Sequence, residues 1–169
     1  MIHSYSSVLL DVLRGLSEQG ISVEVFVTEA RPTPTEAETN GTLVNEWCQQ
    51  LGLQCQIIPD TSVAVYMPQV DNVLLGAEAV MANGGIVNKI GSFQTCLIAN
   101  HFNKPVYVFC ELHKCMQEFP LGQEDVFDLL NEYDAGASCR IDYTPPEHIE
   151  LFFTDYGIFT PSAITEELT

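Results

Sequence analysis

The stretch DNVLLGAEAVMANGGIVNKIG, from Asp71 to Gly91, decides how the rest of the chain reads. It opens with a buried strand at Asn72 to Gly76, passes an acidic turn at Glu78 and a glycine hinge at Asn83-Gly84-Gly85, and predicts a helix starting at Asn88 and Lys89. A strand feeding a Gly-rich loop and a helix N-terminus is a ready anion site, because unpaired N–H groups and the helix dipole both point at the ligand. Lys89 strengthens that reading, since the chain carries only 6 Lys plus Arg against 23 Asp plus Glu. The expected ligand is a phosphate group.

Outward from this stretch, strands and helices alternate. Val8, Leu9, Val12, Leu13 and Leu16 recur at helical spacing and Gly20 ends that helix; Ile21 to Thr28 reads as a buried strand running into a loop at Glu29 to Pro32. Thr33-Pro34-Thr35-Glu36 combines a capping box with an early proline and predicts a helix to about Leu51. A strand at Gln54 to Pro59, a short helix at Asp60 to Met67, a helix from Asn88 to Phe102 and a strand at Pro105 to Cys110 follow. Helices are expected at Gln123 to Asn131 and Glu147 to Thr154, before a final segment after Thr160-Pro161. The order predicts an α/β, doubly wound, mainly parallel sheet with helices on both faces, in one domain over 1–169. Helix one begins so early that the strand before it is missing or reduced to Ile2 and His3, so the chain reads as the C-terminal part of a longer protein.

Composition narrows the function. A net charge of −17 argues against nucleic acid, whose binders cluster Lys and Arg to replace counterions. No apolar run approaches the roughly 20 residues of a membrane span, and no signal peptide leads the chain, so a soluble, cytoplasmic protein is expected. Cys48, Cys55, Cys96, Cys110, Cys115 and Cys139 lack paired metal or redox spacing and read as free thiols. His3, His101, His113 and His148 show no ligand spacing either, so neither a metal nor a cofactor is expected.

In open parallel sheets, ligands bind beyond the carboxyl ends of the strands. Arg31 and Lys89, two of the six cations, fall there, and a planar guanidinium fork with a mobile ammonium suits one anionic group. Asp60 and Glu78 sit at strand ends as bases or partners for ribose hydroxyls, and Asn88 offers an amide to a sugar. No G-x-G-x-x-G or G-K-[ST] is present, so a dinucleotide site and a P-loop are unsupported. Phe152, Phe153 and Phe159 give the C-terminal segment more aromatic surface than a small helix needs, which predicts a contribution to a dimer interface.

TEARP (Thr28 to Pro32), GAEAVMANGGIVNKIGS (Gly76 to Ser92), VYVFCE (Val106 to Glu111), FPLGQ (Phe119 to Gln123), DYTPP (Asp142 to Pro146) and FTDYGIFTPSAITEEL (Phe153 to Leu168) together resemble the C-terminal half of the alpha-subunit family of eukaryotic translation initiation factor 2B. The resemblance implies a Rossmann-like domain normally preceded by a helical domain that this chain lacks. It also implies a regulatory subunit of a guanine nucleotide exchange factor, one that dimerises, joins the other subunits of the factor 2B complex and helps sense the phosphorylated alpha subunit of initiation factor 2. Exchange catalysis resides elsewhere in that complex, so no enzyme is expected. The superfamily also holds isomerases of methylthioribose 1-phosphate and ribose 1,5-bisphosphate, with catalysis by a cysteine in a Thr-His-Cys-Asn loop and an aspartate in a Gly-Ala-Asp loop. Here Ile2-His3-Ser4-Tyr5 and Gly76-Ala77-Glu78 stand at those places. A serine without a base is a poor acid or nucleophile, and a longer carboxylate misplaces the proton-transfer atom by about 1 Å, worth roughly a hundredfold. The expectation is a binding pocket of Ser4, Arg31, Asp60, Glu78, Asn88 and Lys89 for a sugar phosphate or nucleoside monophosphate. An active isomerase is the alternative, and a purely structural subunit a third reading.

Overall fold

The strand expected ahead of helix one exists as a single residue. In the computed structural model, which describes residues 1–31, 39–130 and 140–167, Ile2 bridges in parallel to both Val27 and Leu74. Its N–H donates to the Phe26 carbonyl at 2.8 Å, and its own carbonyl accepts from the Thr28 N–H at 3.1 Å. In chain order the elements are α1 (Ser7–Glu18), β1 (Glu24–Thr28), α2 (Asn40–Gln50), β2 (Gln54–Ile58), α3 (Val63–Tyr66), β3 (Val73–Leu75), β4 (Ala79–Val80), β5 (Ile86–Lys89), α4 (Ser92–His101), β6 (Val106–Phe109), α5 (Gln123–Leu130), β7 (Ile141–Thr144), β8 (Leu151–Thr154), β9 (Gly157–Phe159) and α6 (Pro161–Glu167).

Ile2 joins the β1–β2 pair to the group β3-β6-β8-β9, giving one sheet ordered β2, β1, Ile2, β3, β6, β8, β9. All neighbours run parallel except β9, which turns back on β8 at the edge. With Ile2 as the first strand this is the doubly wound order, and it reverses between Ile2 and β3. Alternation along the strands builds a core on each face. Val25 and Val27 pack with Leu9, Leu13, Val44 and Cys48 under α1 and α2. Phe26, between them, points the other way, into a cluster with Val73, Leu75, Val106, Val108, Cys96 and Ala99 under α3 and α4.

Three expectations need correction. Asn88 and Lys89 do not start a helix: they end β5, because Ile86 to Lys89 pairs antiparallel with Ile141 to Thr144 in a second sheet, β4-β5-β7. Gly91 then breaks the strand at φ +101 and α4 begins at Ser92. Glu147 to Thr154 is not a helix either. Pro146–His148 makes a single 3₁₀ turn and Leu151–Thr154 is a central strand, because pairing with β6 and burial of Phe152 outweigh local helical spacing. The helix before Leu51 is described from Asn40, with Thr39 as its cap accepting from the Thr42 N–H at 3.2 Å. The capping box expected at Thr33 to Glu36 lies outside the described residues, as does Cys139. Cys48, Cys55, Cys96, Cys110 and Cys115 are free thiols.

A candidate ligand crevice at the switch point

Two residues other than glycine adopt left-handed backbone where adjacent strands end: Ser4 at φ 71 after Ile2, and Ala30 at φ 47 after β1. Both are buried. Such backbone carries strain of about 1–3 kcal/mol per residue and gathers at functional sites. Asp60 holds the second of these turns, since its Oδ1 accepts from the Ala30 N–H at 2.8 Å and its Oδ2 from the Arg31 N–H at 3.4 Å. Asp60 therefore positions Arg31 through the backbone. A cavity of about 660 Å³ opens here, lined by His3, Arg31, Asp60, Gln94, Gln123 and Asp142, with Val63, Phe93, Leu97 and Ile98 as its apolar wall.

His3 links the two sides of the crevice. Its Nε2 is 2.8 Å from the Ile90 carbonyl, which can only accept, so this nitrogen carries the proton; Nδ1 then accepts from the Thr28 hydroxyl at 2.7 Å. Burial pushes the imidazole pKa down, partly offset by the Ile90 carbonyl and by Asp60, while nearby Lys89 pushes it further down. A Cβ on Gly91 would stand 2.7 Å from His3 Cε1. Only glycine gives this close approach together with the positive φ.

The six sequence-predicted ligand residues divide between two settings. Arg31 and Asp60 line the cavity, whereas Ser4, Glu78, Asn88 and Lys89 are not among its lining residues. Ser4 is buried, and its hydroxyl reaches only the Tyr5 carbonyl, at 3.5 Å. Glu78 is exposed at the start of the β4–β5 hairpin. The Asn88 amide, expected to meet a sugar, donates to Ser92 Oγ at 2.9 Å, and that hydroxyl donates to the Lys89 carbonyl at 2.7 Å. Lys89 is half-buried and takes part in neither of the ion pairs among the described residues, Arg14–Asp11 and Lys114–Glu111. The Asn83-Gly84-Gly85 hinge is a packing device: Asn83 bonds the Tyr143 hydroxyl and the Pro120 carbonyl, both at 2.7 Å, and a Cβ on Gly85 would fall 2.5 Å from the Tyr143 ring.

The start of α4 also differs from expectation. Its first N–H groups are already occupied, because Asp142 reaches across from β7 and its Oδ2 accepts from Gly91 N–H at 2.7 Å and Phe93 N–H at 3.1 Å. No phosphate is needed to satisfy this helix end; an internal carboxylate does so. Sequence reasoning saw Asp142 only as part of DYTPP, and an acidic residue within an apolar strand is the signal that marks it. Lys114, in the loop after β6, donates from Nζ to the Ala77 carbonyl at 3.1 Å and so pins the turn leading to Glu78. Gln123 clamps β7 by accepting from Tyr143 N–H at 2.7 Å and donating to its carbonyl.

Phe152 is wholly buried inside the sheet, while Phe153 and Phe159 are half-buried. Phe153 stacks on Phe109 at 4.8 Å between centroids and meets Tyr107 edge-on at 5.6 Å. With Ile158, its partner across the β8–β9 pair and 62% exposed, it forms an apolar strip on the α1 side of the sheet, continuous through Phe109 with the cluster under α1 and α2.

A doubly wound fold with a crevice at its switch point defines a broad class of α/β domains. Within that class, this chain belongs to the Initiation factor 2 subunit family, whose pattern matches residues 1–161. It is 37% identical to the translation initiation factor eIF2B subunit alpha of Dictyostelium discoideum, over 99% of this chain and 57% of that protein. It is 31% identical to the ribose 1,5-bisphosphate isomerase of Archaeoglobus fulgidus, again over 99% of this chain and 57% of the relative. The chain thus spans a little over half the length of these relatives. In fold it matches the translation initiation factor eIF-2B of Pyrococcus horikoshii OT3 at a TM-score of 0.77 and 20% identity, covering 95% of this chain and 57% of that one. The tetrameric eIF2B-beta2-delta2 complex of C. thermophilum matches at 0.77 and 22% identity, covering 98% and 52%.

Proposed function

We propose that this chain is the Rossmann-like half of a non-catalytic regulatory subunit of the guanine nucleotide exchange factor for translation initiation factor 2. It would act in the cytoplasm beside the other factor 2B subunits and help read the phosphorylated alpha subunit of factor 2. Its crevice holds a sugar phosphate or nucleoside monophosphate, with Arg31 as the cation that lines it, Lys89 as a second cation close to His3 but outside the lining, and Asp60 as the residue that orients Arg31. The observation that carries this reading is the state of Ser4: a buried hydroxyl 3.5 Å from the Tyr5 carbonyl, with no histidine or carboxylate among the described residues bonded to it to activate it. Such a serine is neither nucleophile nor acid, and what remains is a site that binds. The 37% identity to an eIF2B alpha subunit points the same way.

Calorimetric titration with ribose 5-phosphate and with adenosine monophosphate, repeated on Lys89→Ala, tests the reading. Micromolar binding that weakens at least tenfold in the variant supports it; absence of binding to both leaves the assembly role alone. The 31% identity to a ribose 1,5-bisphosphate isomerase favours a second reading, an isomerase working with altered residues. Turnover of ribose 1,5-bisphosphate that disappears in Glu78→Gln would establish it. The strip of Tyr107, Phe109, Phe153 and Ile158 is the surface we assign to a second copy of the subunit, while Phe152 and its cross-strand partner Phe159 pack on the opposite face and support the strands from there.

A further inference from the structure

We infer that Asp142 is a positioning residue for the ligand crevice: its carboxylate, reaching from β7, locks the Asn88–Phe93 turn in the shape that presents Lys89 and Ile90, and the lock is tightest while the carboxylate is ionised. The inference rests on the phosphate-binding reading of the crevice for its effect on ligand, and on geometry for its effect on the turn. α4 has no cap of its own, since its N-cap residue is Gly91, and the residue that supplies one is 49 positions away in sequence from Phe93. Asp142 is also the cross-strand partner of Asn88, so one residue fastens both ends of the turn, by strand pairing at Asn88 and by its side chain at Gly91 and Phe93. The Asn88–Ser92–Lys89 hydrogen bonds and the His3–Ile90 bond lie within the same few residues. Displacing the carboxylate therefore frees the segment that carries Lys89.

The arrangement is also costly, which separates it from an ordinary cap. Asp142 is 6% exposed and its second oxygen, Oδ1, is buried without a hydrogen-bond partner. Asparagine or serine would cap the helix without a buried charge. The titratable groups around it among the described residues are Cys96 on α4, Lys89 on β5, and His3, Arg31 and Asp60 across the cavity, while α5 meets β7 through the neutral Gln123. None is bonded to the carboxylate, so its charge is held by the two backbone N–H groups. Burial raises its pKa and those N–H groups lower it.

The test uses the whole chain, wild type and Asp142→Asn, the variant retaining an acceptor oxygen for the two N–H groups. Amide signals of Asn88, Lys89, Gly91 and Phe93 are followed by NMR from pH 5 to 7.5, and ribose 5-phosphate is titrated calorimetrically over the same range. The expected result is that all four amides shift together near pH 6 in wild type and stay still in Asp142→Asn. Wild-type affinity should then fall at least threefold more between pH 7 and pH 5 than that of the variant, whose own decline reports the second ionisation of the ligand phosphate, near 6. Amides that do not titrate, or titrate at Gly91 and Phe93 without Asn88 and Lys89, overturn the inference. So does identical pH dependence of binding in the two proteins. Absence of ribose 5-phosphate binding by wild type at every pH overturns the binding reading instead, and the four amides then decide the inference by themselves.

Discussion

Replacing Asp142 with asparagine should stabilise the protein at neutral pH and leave it nearly unchanged in acid. Burial lifts the Asp142 carboxyl from 3.8 to about 6, against the pull of the Gly91 and Phe93 amides. The folded state thus holds a proton that the unfolded state has released over that interval. For an acid with a raised folded pKa, the associated stability is fully present below the unfolded pKa and is lost as pH rises through the folded one. A rise of about 2 pKa units at about 1.4 kcal/mol each makes the loss about 3 kcal/mol by pH 7, of which about 2 kcal/mol falls above pH 4.5. Asparagine carries no charge, keeps an acceptor for the two amides, and escapes this loss. Urea unfolding followed by the fluorescence of Trp47, the only tryptophan, measures both proteins from pH 4.5 to 7.5. Because every other carboxylate is common to the pair, their difference isolates Asp142. Two stability profiles that run parallel over the whole range would refute the reasoning.

Gly91→Ala should lose at least about 2 kcal/mol, through strain at φ +101 and through collision with the His3 ring 2.7 Å away; an unchanged urea midpoint would contradict this. Phe152→Ala, at a fully buried position, should lose about 3–5 kcal/mol in the same assay. Phe153→Ala should cost less stability and instead shift the mass measured by light scattering towards monomer, and an unaltered oligomer would exclude the aromatic strip as the contact. Arg31→Ala should weaken ribose 5-phosphate binding at least tenfold without moving the urea midpoint, since Arg31 is exposed and its guanidinium lies outside the two cores. Equal binding in the variant would remove Arg31 from the crevice.

Much of the fold was legible because it rests on local pattern. β1, β3 and β6 are short strands rich in Val, Leu and Phe whose neighbours alternate between two cores, β2 ends in Ile57 and Ile58, and α1 shows its apolar stripe at Leu9, Leu10 and Leu13 directly. The reduced first strand could also be read, since Ile2 and His3 are all that precede α1. Misread segments were those whose state depends on a distant partner. Leu151 to Thr154 is a strand because β6 offers it an edge, and Asn88–Lys89 is a strand because β7 does. In the crevice, Arg31 and Asp60 were found from the rule that loops beyond strand ends converge. The same rule could not show that Asn88 spends its amide on Ser92, or that Asp142 fills the start of α4.

The sequence by itself determined the alternating α/β plan, the acidic character, the scarcity of cations that made Arg31 and Lys89 conspicuous, and the family. Hydrophobic periodicity and charge count are one-dimensional properties, carried whole by the chain. The tertiary structure alone decided that one residue, Ile2, would complete the sheet, and that the helix end read as a phosphate site would already hold a carboxylate. It also decided that His3 would be neutral, with both ring nitrogens engaged. Each of these rests on hydrogen bonds between residues 24 to 87 positions apart. Such bonds form only after the sheet has brought their partners together, and no local pattern announces them.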